Sequence, residues 1–213
     1  MTEIVPRCGG WAAHALPDPV TGLVSFPDFH AAFPGHLANA LRHDEVVGLA
    51  IGDVDHLTGY SGSLDPAHPE RFGHLAGNAI MARLGNVSSA WFREQSFWAG
   101  CVSTFGGDEI IVAAEVRDPE VFEIAIVRLR DRCNAELPRT VSFALTMLSA
   151  DEPAMRPDLN RTVYTANLAL ATVDMMLFRR KAGRTRPADD GFVETFRFGS
   201  ALALHGGERP LTR

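Results

Sequence analysis

Phe105-Gly106-Gly107-Asp108-Glu109-Ile110 lies between two short apolar runs, residues 102–105 and 110–114, that both read as strands. Gly-Gly suits a tight hairpin, because a two-residue primed turn needs positive φ, where glycine alone is unstrained. A hairpin turning on Gly106 and Gly107 carries Asp108 and Glu109 to its tip. Two carboxylates at one rigid, exposed point attract a hard cation such as Mg²⁺. Taken alone, the string also suits a solvated loop, since Gly-Gly-Asp is a common turn.

A second acidic site shifts the balance. Val46-Val47-Gly48-Leu49-Ala50-Ile51-Gly52 is a continuous apolar run, as expected of a strand buried on both faces. It ends in Asp53-Val54-Asp55-His56. Strand alternation puts Asp53 and Asp55 on one face, roughly 6.5 Å apart. Acids ending a buried strand need neutralising. If this strand neighbours the hairpin, Asp53, Asp108 and Glu109 converge, and such a trio suits phosphoryl transfer assisted by two metal ions.

Five segments in order extend the pattern: Asp18-Pro19-Val20-Thr21-Gly22-Leu23, Gly52-Asp53-Val54-Asp55-His56, Gly73-His74-Leu75-Ala76-Gly77-Asn78, Gly106 through Ile110, and Arg180-Lys181-Ala182-Gly183-Arg184-Thr185-Arg186. Together they resemble the GGDEF domain, the catalytic domain of diguanylate cyclases, over nearly the whole chain. The resemblance implies an α/β (α+β) palm-type fold, with a central, mostly antiparallel sheet flanked by helices. It implies a short extension over residues 1–17 and one catalytic domain over 18–213.

The resemblance also assigns roles. Asp53 and Asp108 would ligate Mg²⁺ or Mn²⁺, two ions per active site, with the Val54 carbonyl and Glu109 completing the metal set. Glu109 would help deprotonate a ribose 3′-hydroxyl. Backbone amides near His56 and Leu57 would hold the triphosphate beside Gly106 and Gly107. Arg180 and Arg184, one helical turn apart, would grip phosphate. The same basic run also suits a helix C-terminus, where the macrodipole favours cations. Ser61 and Asn78 fall at the base-reading positions. The implied reaction joins two GTP into cyclic di-GMP, with a homodimer bringing two sites face to face.

Departures from the family pattern leave two other readings open. Asn78 stands where the family has Asp, and Leu57-Thr58 stands where it has Phe-Lys. Asp accepts two hydrogen bonds from guanine, whereas Asn accepts one and donates another. Asn can suit adenine, so ATP, a mixed dinucleotide or hydrolysis of a single purine triphosphate is one alternative. A silent nucleotide-binding module is the other. The segment 62–72 is longer than the family's connection. Phe97-Trp98-Ala99-Gly100 carries no charge where many relatives have an R-x-x-D product site. Its aromatics, with Trp91 and Phe92, read as core or as a hydrophobic contact surface.

Composition sets the remaining bounds. The 213 residues are 46% hydrophobic and 22% charged, enough for one sizeable core. A net charge of −6 argues against nonspecific nucleic-acid binding, which needs a basic face. No run approaches the ~18 apolar residues of a membrane span, and residues 1–10 hold no signal-peptide core. Cys8, Cys101 and Cys133 lack metal spacing and read as reduced thiols in the cytoplasm. Lys181 is the sole lysine, to which the sequence attaches no role.

Periodicity predicts a helix over 28–41 interrupted at Pro34-Gly35, a strand over 46–54 and a helix over 74–93 with Leu75, Ala79, Ile80, Ala82 and Leu84 inward. After the hairpin come a helix over 119–137 with an apolar stripe of Val121, Ile124, Ala125, Val127 and Leu129, and a strand over 140–148. A helix over 160–180 follows, with Met175, Met176, Leu177 and Phe178 in the core, and then an edge strand over 193–198.

Overall fold

A computed structural model of the chain describes residues 11, 15–57, 73–151, 162–186 and 189–201. Its elements are α1 (Phe26–Arg42), β1 (Val46–Val54), α2 (Gly73–Glu94), β2 (Ala99–Gly106), β3 (Glu109–Val116), α3 (Pro119–Glu136), β4 (Val141–Leu148), α4 (Thr162–Ala182) and β5 (Val193–Thr195). From β1 onward the order is βαββαβ, closed by α4 and a short edge strand. Among the described residues one sheet runs β2-β3-β1-β4-β5. Every pairing is antiparallel except β4 with β5.

The continuous apolar run becomes the central strand. β1 pairs with β3 on one side and β4 on the other. Val47, Leu49 and Ile51 pack under α1 and α4, whereas Ala50 and Val54 pack under α2 and α3. Two glycines on the α2–α3 face make that packing possible. A Cβ on Gly48 would lie 2.4 Å from the Phe122 ring, and one on Gly52 would lie 2.3 Å from the Phe143 ring. Both rings are fully buried. Each such aromatic buries on the order of 150–250 Å².

The helix starts are specified locally. The Ser25 hydroxyl caps α1 by accepting from the Asp28 amide, and Asp118 caps α3 by accepting from Glu120, with Pro119 in the first turn. Removing such a cap typically costs about 1 kcal/mol. Ahead of α1, Trp11 is buried, stacks on His36 at 4.8 Å and donates its indole N–H to Glu115 at 3.0 Å.

Several expectations need correction. α1 is not interrupted: it runs through Pro34, which is itself buried beside Phe33 and Leu37. A proline inside a helix forfeits one backbone bond, and the apolar face continuing on both sides outweighs that loss. In α2, Leu75 is 64% exposed and Ala79 is also exposed; the inward stripe is Ile80, Leu84, Val87 and Trp91. In α3, Val121 and Ile124 face outward, and Phe122, Ala125, Ile126, Leu129 and Cys133 face inward. The sequence holds two apolar stripes there, and the seat for Phe122 over Gly48 selects one. Phe178 on α4 is exposed, while Leu177 beside it is buried. β5 stops at Thr195; Phe196 still donates to Leu145, and Phe198 then fills the core from a final helical turn.

The hairpin also differs from expectation. Gly106 is the last residue of β2 and pairs with Glu109, so the turn is made by Gly107 and Asp108. Gly107 alone of the two has positive φ, at 21°, and a bulge lies between Thr104 and Gly106. Asp108 therefore sits at the tip and Glu109 opens the next strand. The predicted start of α4 at residue 160, the segment 62–72, Thr58 and Cys8 lie outside the described residues.

Candidate functional site

Strand register brings the first acidic site to the second. Asp53, one residue before the end of β1, is the direct cross-strand partner of Glu109 at the start of β3. The Val54 amide donates to the Asp108 carbonyl at 3.2 Å, which fastens the hairpin turn to the end of β1. Directly opposed residues share a face of the sheet. That face is covered by α1 and α4.

Excess negative charge marks this corner. The Glu109 carboxyl is pushed up to about 7, first by burial and then by Asp174, Asp53 and Asp108. Burial also raises Asp53, against the pull of Lys181, and raises Asp174. Asp174 comes from α4 and was not anticipated.

Lys181 supplies the opposing charge. Its ammonium lies 2.5 Å from Asp53 Oδ1 and 3.2 Å from Asp55 Oδ1. It also donates to the Asp53 carbonyl at 3.4 Å. Helical spacing was the available signal: Asp174 and Lys181 are seven residues apart, two turns along one face of α4. Which strand end that face meets is a property of the tertiary fold.

Asp55, just past the end of β1, is 1% exposed. Its carboxylate accepts from Thr140 Oγ1 (2.9 Å), Ser142 Oγ (2.7 Å), the Gly191 amide (2.9 Å) and Arg184 Nη1 (2.7 Å). Burial alone would raise its pKa. The bonds from Ser142, Gly191 and Arg184 and the charge of Lys181 win, and hold it below the ordinary value. The next residue, His56, is held at φ 55°, a left-handed conformation that few non-glycine residues adopt. Its Nε2 lies 3.1 Å from Asp190.

The remaining candidates fall into two groups. Leu57, Asn78, Gly107 and Asp108 line one cavity of about 370 Å³, with Gly73, His74, Gly77 and Met81. His56, Arg180 and Arg184 do not line it. Arg184 is held by Asp55 and Asp190, each at 2.7 Å. Arg180 meets Glu194 at 3.5 Å. Both guanidinium groups lie over the Phe192 ring, at 5.2 and 5.9 Å from its centroid. Gly106 is exposed on the hairpin, and Ser61 lies outside the described residues.

The donor chemistry at the strand end suits a hard divalent cation, since Asp53, Asp108 and Glu109 offer carboxylate oxygens. Among the described residues, however, no three His, Cys, Asp or Glu side chains are gathered closely enough to hold a metal ion. The Asp53 carboxylate is engaged by Lys181 instead.

No protein-family profile matches the chain, and no curated protein sequence matches it. Solved structures do. The GGDEF domain of DgcB from Caulobacter crescentus, in complex with c-di-GMP, aligns with a TM-score of 0.64 at 16% identity, over 84% of this chain and 92% of that one. The active GGEEF domain of a diguanylate cyclase from Vibrio cholerae aligns at 0.58 and 15% identity, over 82% and 98%. A sensory box/GGDEF family protein from Caulobacter crescentus gives 0.57 at 22% identity, over 79% and 99%. The fold is that of a GGDEF domain.

Within the GGDEF fold, the Asp18–Leu23 motif has a clear structural part. Asp18 Oδ1 accepts from the amides of Val20 and Thr21 and from the Thr21 hydroxyl, making an Asx turn closed by Gly22 at φ 69°. Among the described residues, no helix of this GGDEF fold is long and apolar enough to cross a membrane.

Proposed function

We propose that the chain is a metal-dependent nucleotidyltransferase of the diguanylate cyclase type, condensing two GTP into cyclic di-GMP with release of pyrophosphate. One observation carries this reading: β1 and the β2–β3 hairpin bring Asp53 opposite Glu109, with Asp108 on the rim of a cavity that Asn78 also lines. The GGDEF fold and the c-di-GMP bound by its DgcB neighbour support it.

Asp53, Asp108 and the Val54 carbonyl would hold Mg²⁺ or Mn²⁺. The ions, when bound, neutralise charge on the triphosphate and its leaving group. The cavity would seat a purine base against Asn78, with Arg180 and Arg184 reaching for phosphate. The 3′-oxygen of one nucleotide bonds to the α-phosphorus of the other, the bond from that phosphorus to the β-phosphate oxygen breaks, and Glu109 takes the hydroxyl proton. Repetition in the opposite sense closes the ring. Each nucleotide then needs its own site, so turnover requires two chains face to face.

A second reading rests on Asn78, which lines the cavity at a base-reading position with one acceptor and one donor group. It keeps the chemistry and changes the base, to ATP or a mixed pair. Incubation with GTP or ATP and Mg²⁺ or Mn²⁺, followed by chromatography, separates the readings. Asp108→Ala and Glu109→Ala are expected to abolish product, and unchanged product formation would refute the assignment. Nucleotide binding without consumption would instead identify a silent regulatory module.

A further inference from the structure

We propose that the Lys181 ammonium is a tethered counter-cation for the Asp53 carboxylate, so that a metal ion can draw on Asp53 only as the ammonium leaves it. The inference rests on the metal-dependent reading above and concerns how that site is kept before nucleotide arrives.

The geometry is that of a cation seat. An ammonium has three N–H donors, and here three oxygens surround it: Asp53 Oδ1, Asp55 Oδ1 and the Asp53 carbonyl. The Lys181 side chain is 14% exposed, and its partners Asp53 and Asp55 are 19% and 1% exposed. Water therefore cannot supply most of the neutralisation. Asp55 has a second cation in Arg184, at 2.7 Å. Asp53 is the carboxylate that depends on Lys181, and it is also the one that pairs across the sheet with Glu109.

The ammonium can also leave. Lys181 sits in the last turn of α4, and a lysine stem has four flexible carbons, unlike a planar guanidinium fixed in a fork. A divalent ion arriving with a triphosphate brings two charges in place of one, and the released ammonium faces an anion rather than bulk solvent. This arrangement neutralises the acids in the empty protein and couples metal entry to nucleotide entry.

Lys181 is the sole lysine of the chain, so lysine labelled with ¹³C gives a single ε-carbon resonance. Titrating the unmodified protein with Mg²⁺, first alone and then with GTP, is expected to move that resonance from an ion-paired position toward that of free lysine. In parallel, Mn²⁺ affinity is measured by calorimetry on nucleotide-free protein. Lys181→Met is expected to bind at least tenfold more tightly than the parent, and Lys181→Arg no more tightly. Metal binding that leaves the lysine resonance in place, or equal affinity in parent and Met variant, overturns the inference and leaves the proposed reaction standing. Absence of metal binding with and without GTP overturns both. If Lys181→Met fails to fold, the resonance titration decides alone.

Discussion

The carbonyl oxygen of Thr21 lies 2.1 Å from the point where a Cβ on Gly85 would stand. The Asx turn that opens the domain is therefore pressed directly against the backbone of α2. Gly85→Ala is expected to destabilise the fold by about 2–3 kcal/mol, because the obstacle is main chain and cannot swing aside. Gly77, eight residues earlier, has open space around it. Gly77→Ala is expected to be neutral, or stabilising by up to about 1 kcal/mol through helix propensity. Urea unfolding of both variants checks the contrast.

Asp55→Asn should be among the most damaging single changes. It removes a buried charge and leaves Arg184 and Lys181 under-compensated, a loss on the order of 3–5 kcal/mol. The folded carboxyl titrates below its ordinary 3.8. Its contribution is therefore complete above that pH and fades as acid carries the solution through the lower, folded value. Urea midpoints at pH 7 and pH 3 should show parent and variant far apart at the first and closer at the second.

Glu115 should act in the opposite sense. Its carboxyl is raised from 4.5, chiefly by burial and also by Glu45, against the hydrogen bond from Trp11. The folded state then holds a proton that the unfolded state releases, so stability falls as pH climbs from 4.5 through the raised value. Glu115→Gln keeps an acceptor for the indole and removes the charge. The variant's melting temperature is expected to be flatter with pH across that window, with its largest advantage on the alkaline side.

Arg180 and Arg184 should separate binding from folding. Arg180 meets Glu194 at 3.5 Å at a half-exposed surface, so Arg180→Ala is expected to change stability by less than about 0.5 kcal/mol. Under the proposed function it weakens GTP binding about tenfold, the loss of one phosphate contact. Arg184→Ala also strips the buried Asp55 and is expected to lower the melting temperature. Thermal melts alongside nucleotide titrations distinguish the two.

Under the proposed function, Asn78→Asp offers a guanine edge two acceptors. A matched guanine contact is worth on the order of 1–3 kcal/mol, so GTP use should rise about tenfold relative to ATP. An unchanged ratio would remove Asn78 as the base reader.

The sheet was legible because its strands announce themselves. The apolar run through Ile51 could be little else than a central strand, and the glycine hairpin fixed its neighbour. Helix faces were harder to read. In α3 both Val121 and Phe122 begin plausible stripes, and only the space above Gly48 decides between them. At the site, the acids of β1 and β3 were visible because strand ends and turns carry local signals. Asp174 and Lys181 were not, since α4 names its own faces but not the strand end that one of them will cover. The hold of Arg184 on Asp55 and Asp190 was not legible either, because those partners lie far along the chain or beyond the helix.

Gly48 and Gly52 leave one side of β1 smooth, and the rings of Phe122 and Phe143 index it. A slip of one residue in that strand would turn every side chain over, carrying Asp53 to the opposite face from Glu109. Two aromatic rings thus gauge the spacing of the carboxylates. Alignment of the acidic corner is lodged in the most apolar interior of the fold, where a lost methylene would be felt as lost precision rather than as a missing contact.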